Sequence, residues 1–135
     1  MKPGKILTAL AASAIAVVMS FALASPAYAA DEAMNTDDGD PGGRVEFTAH
    51  GDVVKLCDME ADGYSVSLGI WDEDADHKFK YGLDVGGEGT CVKVYADLAS
   101  KYNLKEDHVF EFYITLVKNG KEGYYTDLAY WSNSR

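Results

Sequence analysis

From Arg44 to Trp131 the apolar side chains recur at every second position, the spacing of strands with one buried face, and nowhere at the spacing of a long helix. The clearest run is VFEFYITLV (109–117), where Phe110, Phe112, Ile114 and Leu116 share one face. In RVEFTAH (44–50), Val45, Phe47 and Ala49 alternate with Arg44, Glu46 and Thr48. VVKLCDM (53–59), YSVSLGIW (64–71), FKYGLDV (79–85), TCVKVYA (90–96) and GYYTDLAYW (123–131) complete the set. Gly51-Asp52, Asp62-Gly63, the GGEG stretch and Asn119-Gly120 punctuate them as turns. Asn119-Gly120 suits a type I′ hairpin turn, which needs positive φ at both central positions. In FKYGLDV the alternation puts Phe79 on the same side as Tyr81, Leu83 and Val85. ADLASKYNLKEDH, before the sixth strand, is a longer connection with one helical turn near Leu98–Tyr102. About seven short strands in about 90 residues predict an all-β fold, a small antiparallel β-sandwich.

The N-terminus reads differently. Lys2 and Lys5 precede an apolar stretch from Ile6 to about Ala24, and Pro26 stands just before Ala27-Tyr28-Ala29, a small-x-small cleavage motif. The expectation is a signal helix and peptide over 1–29, cleaved after Ala29, and hence a secreted, extracellular protein with no membrane association after cleavage. The alternative, an uncleaved anchor, is disfavoured by the Ala/Ser/Thr-rich run, by Pro26 and by the absence of a basic flank. Residues 30–43 (ADEAMNTDDGDPGG) are acidic, Gly-rich and poor in large apolar groups, which predicts a flexible acidic leader ahead of a single domain over 44–135.

All 22 acidic residues lie at or beyond Asp31, so loss of Lys2 and Lys5 takes the net charge from −10 to −12. A polyanion of this kind is repelled by nucleic acid and by anionic surfaces, and nucleic-acid binding is excluded. The two cysteines, Cys57 and Cys91, both fall in the exported part and predict one disulfide, placed here as a staple between the two sheets. No Tyr stands two residues before Cys91, and Trp71 sits near a strand end, so the pattern is that of a generic sandwich rather than an immunoglobulin domain.

The segment WDEDADH places Asp72, Asp74 and Asp76 at alternate positions, as in the first three ligands of a calcium loop. An EF-hand would need Gly where His77 stands and a bidentate Glu where Leu83 stands. A solvated acidic loop is therefore the first reading, no cofactor is expected, and a non-EF calcium site is the alternative. His50, His77 and His108 have no close-spaced partner histidine and read as surface groups rather than zinc ligands. No G-x-S-x-G motif is present, and no Ser or Cys has an evident base, so no catalytic residue is assigned. Nine Tyr and two Trp exceed what a core this small must hold. Tyr124, Tyr125, Tyr130 and Trp131 crowd the last strand, and alternation exposes either Tyr124 and Tyr130 or Tyr125 and Trp131 as a ligand or partner surface.

CDMEADGYSVSLGIW, followed by GTCVKVYADL, resembles short secreted actinomycete proteins that carry a Cys-Asp-x-x-Ala-Asp-Gly motif and a second Cys. The resemblance covers about residues 44–117 and implies the disulfide and the sandwich; it carries no activity, and no functional residue is transferred. The functional expectation is a secreted non-catalytic binding or interaction module for an unknown protein or glycan. The alternatives are a secreted inhibitor of an extracellular hydrolase, which a rigid loop on such a scaffold would serve, and a minor secreted hydrolase.

Overall fold

A computed structural model describes residues 30–134; the segment expected as a signal peptide, 1–29, lies outside them. Eight strands are present among the described residues: β1 (Glu32–Asn35), β2 (Gly43–Thr48), β3 (Val53–Asp58), β4 (Ser65–Asp72), β5 (Lys78–Gly86), β6 (Cys91–Val94), β7 (Val109–Lys118) and β8 (Lys121–Ser132). They form two four-stranded antiparallel sheets, ordered β1-β2-β3-β6 and β5-β4-β7-β8. The chain changes sheet three times, between β3 and β4, β5 and β6, and β6 and β7. The connection before β7 holds two 3-10 turns, Ala96–Leu98 and Ser100–Tyr102.

The alternating apolar positions meet between the sheets. Val45, Phe47, Val54 and Leu56 come from the first sheet; Val66, Leu68, Ile70, Phe110, Phe112, Ile114 and Leu116 come from the second, and all are buried. The Phe112 ring lies 5.1 Å from Phe47 and 4.5 Å from Trp131, which makes this aromatic group the centre of the core. Asn119 and Gly120 both take positive φ, 54° and 73°, as the type I′ reading requires.

Two expectations are corrected here. The leader is not wholly loose: Glu32–Asn35 form β1 against β2, with Met34 opposite Val45 and buried. Composition hides this because the acidic groups act as backbone acceptors. Asp31 accepts the Ala49 N–H at 2.7 Å, Asp38 accepts the Gly42 N–H at 2.9 Å, and the buried Thr36 hydroxyl accepts the Gly43 N–H at 3.0 Å. The Cys57–Cys91 disulfide does form, but it joins β3 to β6 within one sheet and does not cross between sheets. The two cysteines are directly opposite with Cα atoms 4.1 Å apart, and the Asp58 N–H to Thr90 carbonyl bond marks theirs as a non-hydrogen-bonded pair, the closer of the two antiparallel pair types.

Three aspartates at strand ends, Asp52, Asp58 and Asp72, are buried, and each ties down a neighbouring segment. Asp52 accepts the Leu104 N–H and the Asn133 side-chain amide, each at 2.9 Å, fastening the long connection and the chain end to the β2–β3 turn. Asp58 accepts the Glu60 N–H at 3.2 Å and the Gly87 N–H at 2.8 Å, and Asp62 accepts the Tyr64 N–H at 2.9 Å. The Cys-Asp-x-x-Ala-Asp-Gly segment is thus a loop-building device: a bridge, two acceptors and a positive-φ glycine (Gly63, 76°). Tyr81 is buried beside Asp52 and Tyr102, and desolvation first, then these neighbours, push its hydroxyl well above the ordinary tyrosine value.

Candidate functional site

The outer face of β5-β4-β7-β8 carries successive cross-strand ranks. One rank runs Phe79, Trp71, Glu111, Tyr130; the next runs Gly82, Gly69, Tyr113, Leu128; a third begins Asp84, Ser67, Thr115. The first two ranks cross the whole sheet, about 14 Å at the usual spacing between strands. Phe79 is 54% exposed, Tyr130 56% and Leu128 43%, whereas Trp71 and Tyr113 are half-buried.

The two glycines explain how the rings sit. A Cβ at Gly69 would lie 2.3 Å from Cη2 of Trp71, so the indole rests on the bare backbone of Gly69. A Cβ at Gly82 would lie 3.7 Å from Cζ of Phe79, so that ring leans over the paired glycine. With glycine at the β5 and β4 positions of the second rank, the Trp71 indole lies over Gly69 and Phe79 leans toward Gly82, the two rings inclined at 60°. Trp71 is also parallel to the His77 imidazole at 5.8 Å and edge-on to Phe79 at 5.2 Å. A trough of about 330 Å³ is bordered by Trp71, Phe79, Tyr113, Ser67, Asp84 and Glu122. Its charged rim groups are acceptors. The Tyr130 hydroxyl donates to Glu111 at 3.1 Å, and this bond raises the tyrosine above its ordinary value.

Of the four residues expected at the surface, the structure separates three groups. Trp131 is only 8% exposed and belongs to the core, which corrects its place in the candidate surface. Tyr130 joins Phe79 and Trp71 on the outer face. Tyr124 and Tyr125 are exposed together at the opposite end of β8, packed edge-on to Tyr64 at 5.6 and 6.4 Å, with Lys118 over the Tyr64 ring. Tyr124 and Tyr130 are both exposed, as one of the two alternating sets has it, but they do not share a face, because the β7–β8 register shifts between Ile114 and Leu116; Tyr125, with a φ of 48°, is exposed beside Tyr124.

Phe79 is a further correction. A bulge between Ile70 and Trp71, with Lys80 as the extra residue of β5, pairs Trp71 with Phe79 and Ile70 with Tyr81. Phe79 therefore faces out while Tyr81 faces in. The sequence reading missed Phe79, Tyr113 and Leu128 as surface groups. The available signal was Ser67-x-Gly69-x-Trp71, a small-residue outer face ending in a large ring.

The acidic loop is organised as a clamp. Asp72 is buried and accepts from His108 Nδ1 at 2.8 Å and from the Asp74 N–H at 3.1 Å, while Asp74 accepts the Val109 N–H at 2.7 Å. Two groupings involving this loop have ligand-capable atoms within 4.8 Å of one another: Asp72, Asp74 and His108, and Glu73, His77 and Glu111. Asp76 is in neither and caps the 3-10 turn Glu73–Ala75 in a left-handed conformation. The expected triplet Asp72, Asp74, Asp76 is thus not brought together. A separate acidic group, Asp38, Glu60 and Asp62, lies at the sheet rim, and there a carboxyl–carboxylate bond to Asp40 is the main cause holding Glu60 at about 7.

No protein-family model and no curated protein matches the chain. Two solved structures of the β-glucuronidase of Parabacteroides merdae, one of them with glycerol in its active site, are similar at 10% identity and a TM-score of 0.35. The likeness covers 75% and 77% of this chain but 12% and 13% of those proteins, and it carries nothing about activity. Fold and face together define a disulfide-bridged, two-sheet β-sandwich with an open aromatic face.

Proposed function

We propose that the chain is a secreted, non-catalytic binding module that holds its ligand on the aromatic outer face of β5-β4-β7-β8. The observation that carries this reading is the pair of rings, Trp71 and Phe79, laid on the opposed glycines Gly69 and Gly82. A ring lying along a sheet offers more of its face than a ring standing on it, and a contiguous exposed apolar area is costly to keep in water unless a partner covers it. Export fits the disulfide, which persists in oxidising compartments, and the signal pattern over 1–29. Among the described residues no helix is long and apolar enough to cross a membrane.

The test is retention of purified protein on insoluble polysaccharides and on immobilised culture-supernatant proteins. Replacing Phe79 and Tyr130 together by Ala should weaken whatever retention is found by about tenfold or more, the loss expected of anchor residues. Tyr124→Ala with Tyr125→Ala should leave it intact. Undiminished retention in the first variant, or loss confined to the second, overturns the assignment of this face.

A further inference from the structure

We infer that the ligand of this face is a neutral polysaccharide, bound with a sugar ring on Phe79, beside Trp71, and its hydroxyls directed at Asp84; this rests on the binding-module reading above. The inference comes from the polar chemistry around the rings. Asp84, at the head of the third rank, and Glu122 border the trough, and Glu111 stands between Trp71 and Tyr130 in the first. Ionised carboxylates only accept hydrogen bonds. A ligand that satisfies this rim must bring donors, and it must do so without bringing negative charge to a chain whose net charge is already −10.

Hydroxyls meet both demands. A pyranose ring has an apolar C–H face that fits an aromatic plane, and its hydroxyls radiate around the ring edge, where a carboxylate accepts two neighbouring ones at once. Two other ligand classes fit less well. A polycation would satisfy Asp84, Glu111 and Glu122, but Lys78 and Lys80 flank Phe79 in β5, and His77 stacks on Trp71. An extended peptide binds sheets by adding to an open edge, where main-chain groups are free. The ranks here run across the sheet face from edge strand β5 over β4 and β7 to edge strand β8, so a strand added at either edge would leave most of the face uncovered.

Isothermal titration of the intact mature chain tests this with neutral hexasaccharides (cello-, xylo-, manno- and malto-series), with chitosan oligosaccharide and with oligogalacturonate. At least one neutral probe should bind. Its affinity should change less than about twofold between about 0.05 and about 0.5 M sodium chloride, since screening leaves uncharged partners untouched. Phe79→Ala and Asp84→Ala, both at exposed positions, should each weaken it by about tenfold, and Asp84→Asn should restore part of the loss because an amide oxygen still accepts. Tighter binding of chitosan or oligogalacturonate, or a neutral ligand indifferent to Asp84, overturns the inference. So does the absence of binding by all four neutral probes. If a protein from the medium is then retained through Phe79 and Tyr130, the binding-face reading survives while the neutral-glycan inference falls; if nothing depends on those rings, both fall.

Discussion

The two outer faces of the sandwich are built to opposite rules. On the first sheet the ranks run Asn35, Arg44, Cys57, Cys91 and Ala33, Glu46, Lys55, Lys93, polar groups interrupted by the disulfide. Arg44 pairs with Glu46 at 2.9 Å, while Lys55 and Lys93 stand directly opposite each other, an arrangement of like charges that costs stability. This face has the larger depression, about 560 Å³ around His50, Val53, Lys93 and Tyr95, but the His50 imidazole and Tyr95 are the rings that line it. The second face places Phe79, Trp71, Tyr130, Tyr113 and Leu128 over four strands with a glycine floor. Cavity size alone would select the side opposite to the proposed binding face. The first face is a solvated wall held by a covalent bridge, and the second exposes apolar area that the fold itself does not require.

The sharpest way to break this contrast is to remove the bridge. Cys57→Ala with Cys91→Ala opens a link between positions 34 apart and should cost about 3 kcal/mol in urea unfolding, since the denatured chain regains loop freedom. Ligand retention by the folded variant should be unchanged; its loss would show that the two faces are not independent. On the opposite face, Gly69→Ala forces the indole off the sheet, because the new Cβ would fall 2.3 Å from it. This should cost about 1–3 kcal/mol, shift the Trp71 emission and weaken binding, and an unaltered spectrum would contradict the seat described.

Lys93→Glu should act in the other direction. Converting the Lys55–Lys93 pair to opposite charges should stabilise by about 0.2–1 kcal/mol, an effect that fades in high salt, with no change in binding. The smallest effect belongs to the rim. Glu60 is raised from 4.5 to about 7, chiefly by its hydrogen bond with Asp40. The folded state therefore holds that proton more tightly than the unfolded chain, and the associated stability is complete below about pH 4.5 and lost as pH rises through about 7. A slight fall in Tm across this window should flatten in Glu60→Gln; the same slope in the variant would place its origin elsewhere.

Much of this arrangement was legible in the residues. Phe110, Phe112, Ile114 and Leu116 declare β7 and its inward face, Asn119-Gly120 declares the last hairpin, and an even cysteine pair declares the bridge. Each is a local signal, carried by side-chain period, by allowed φ or by chemistry between two groups of one kind. The aromatic outer face was less legible because a bulge changes parity: one extra residue at Lys80 turns Phe79 outward, and the irregular β7–β8 register leaves Tyr124 and Tyr125 exposed together.

By itself the sequence determined an acidic all-β chain with alternating strands and a single disulfide, since period, charge and cysteine number do not depend on how distant segments meet. Tertiary structure decided that an acidic, Gly-rich segment contributes β1, that the bridge lies within one sheet, that Trp131 is core and that Trp71 and Phe79 lie on glycines. The physical reason is common to all four. Each depends on which residue stands opposite which across strands, and that register is set by the summed burial of the core, which no local run of residues contains.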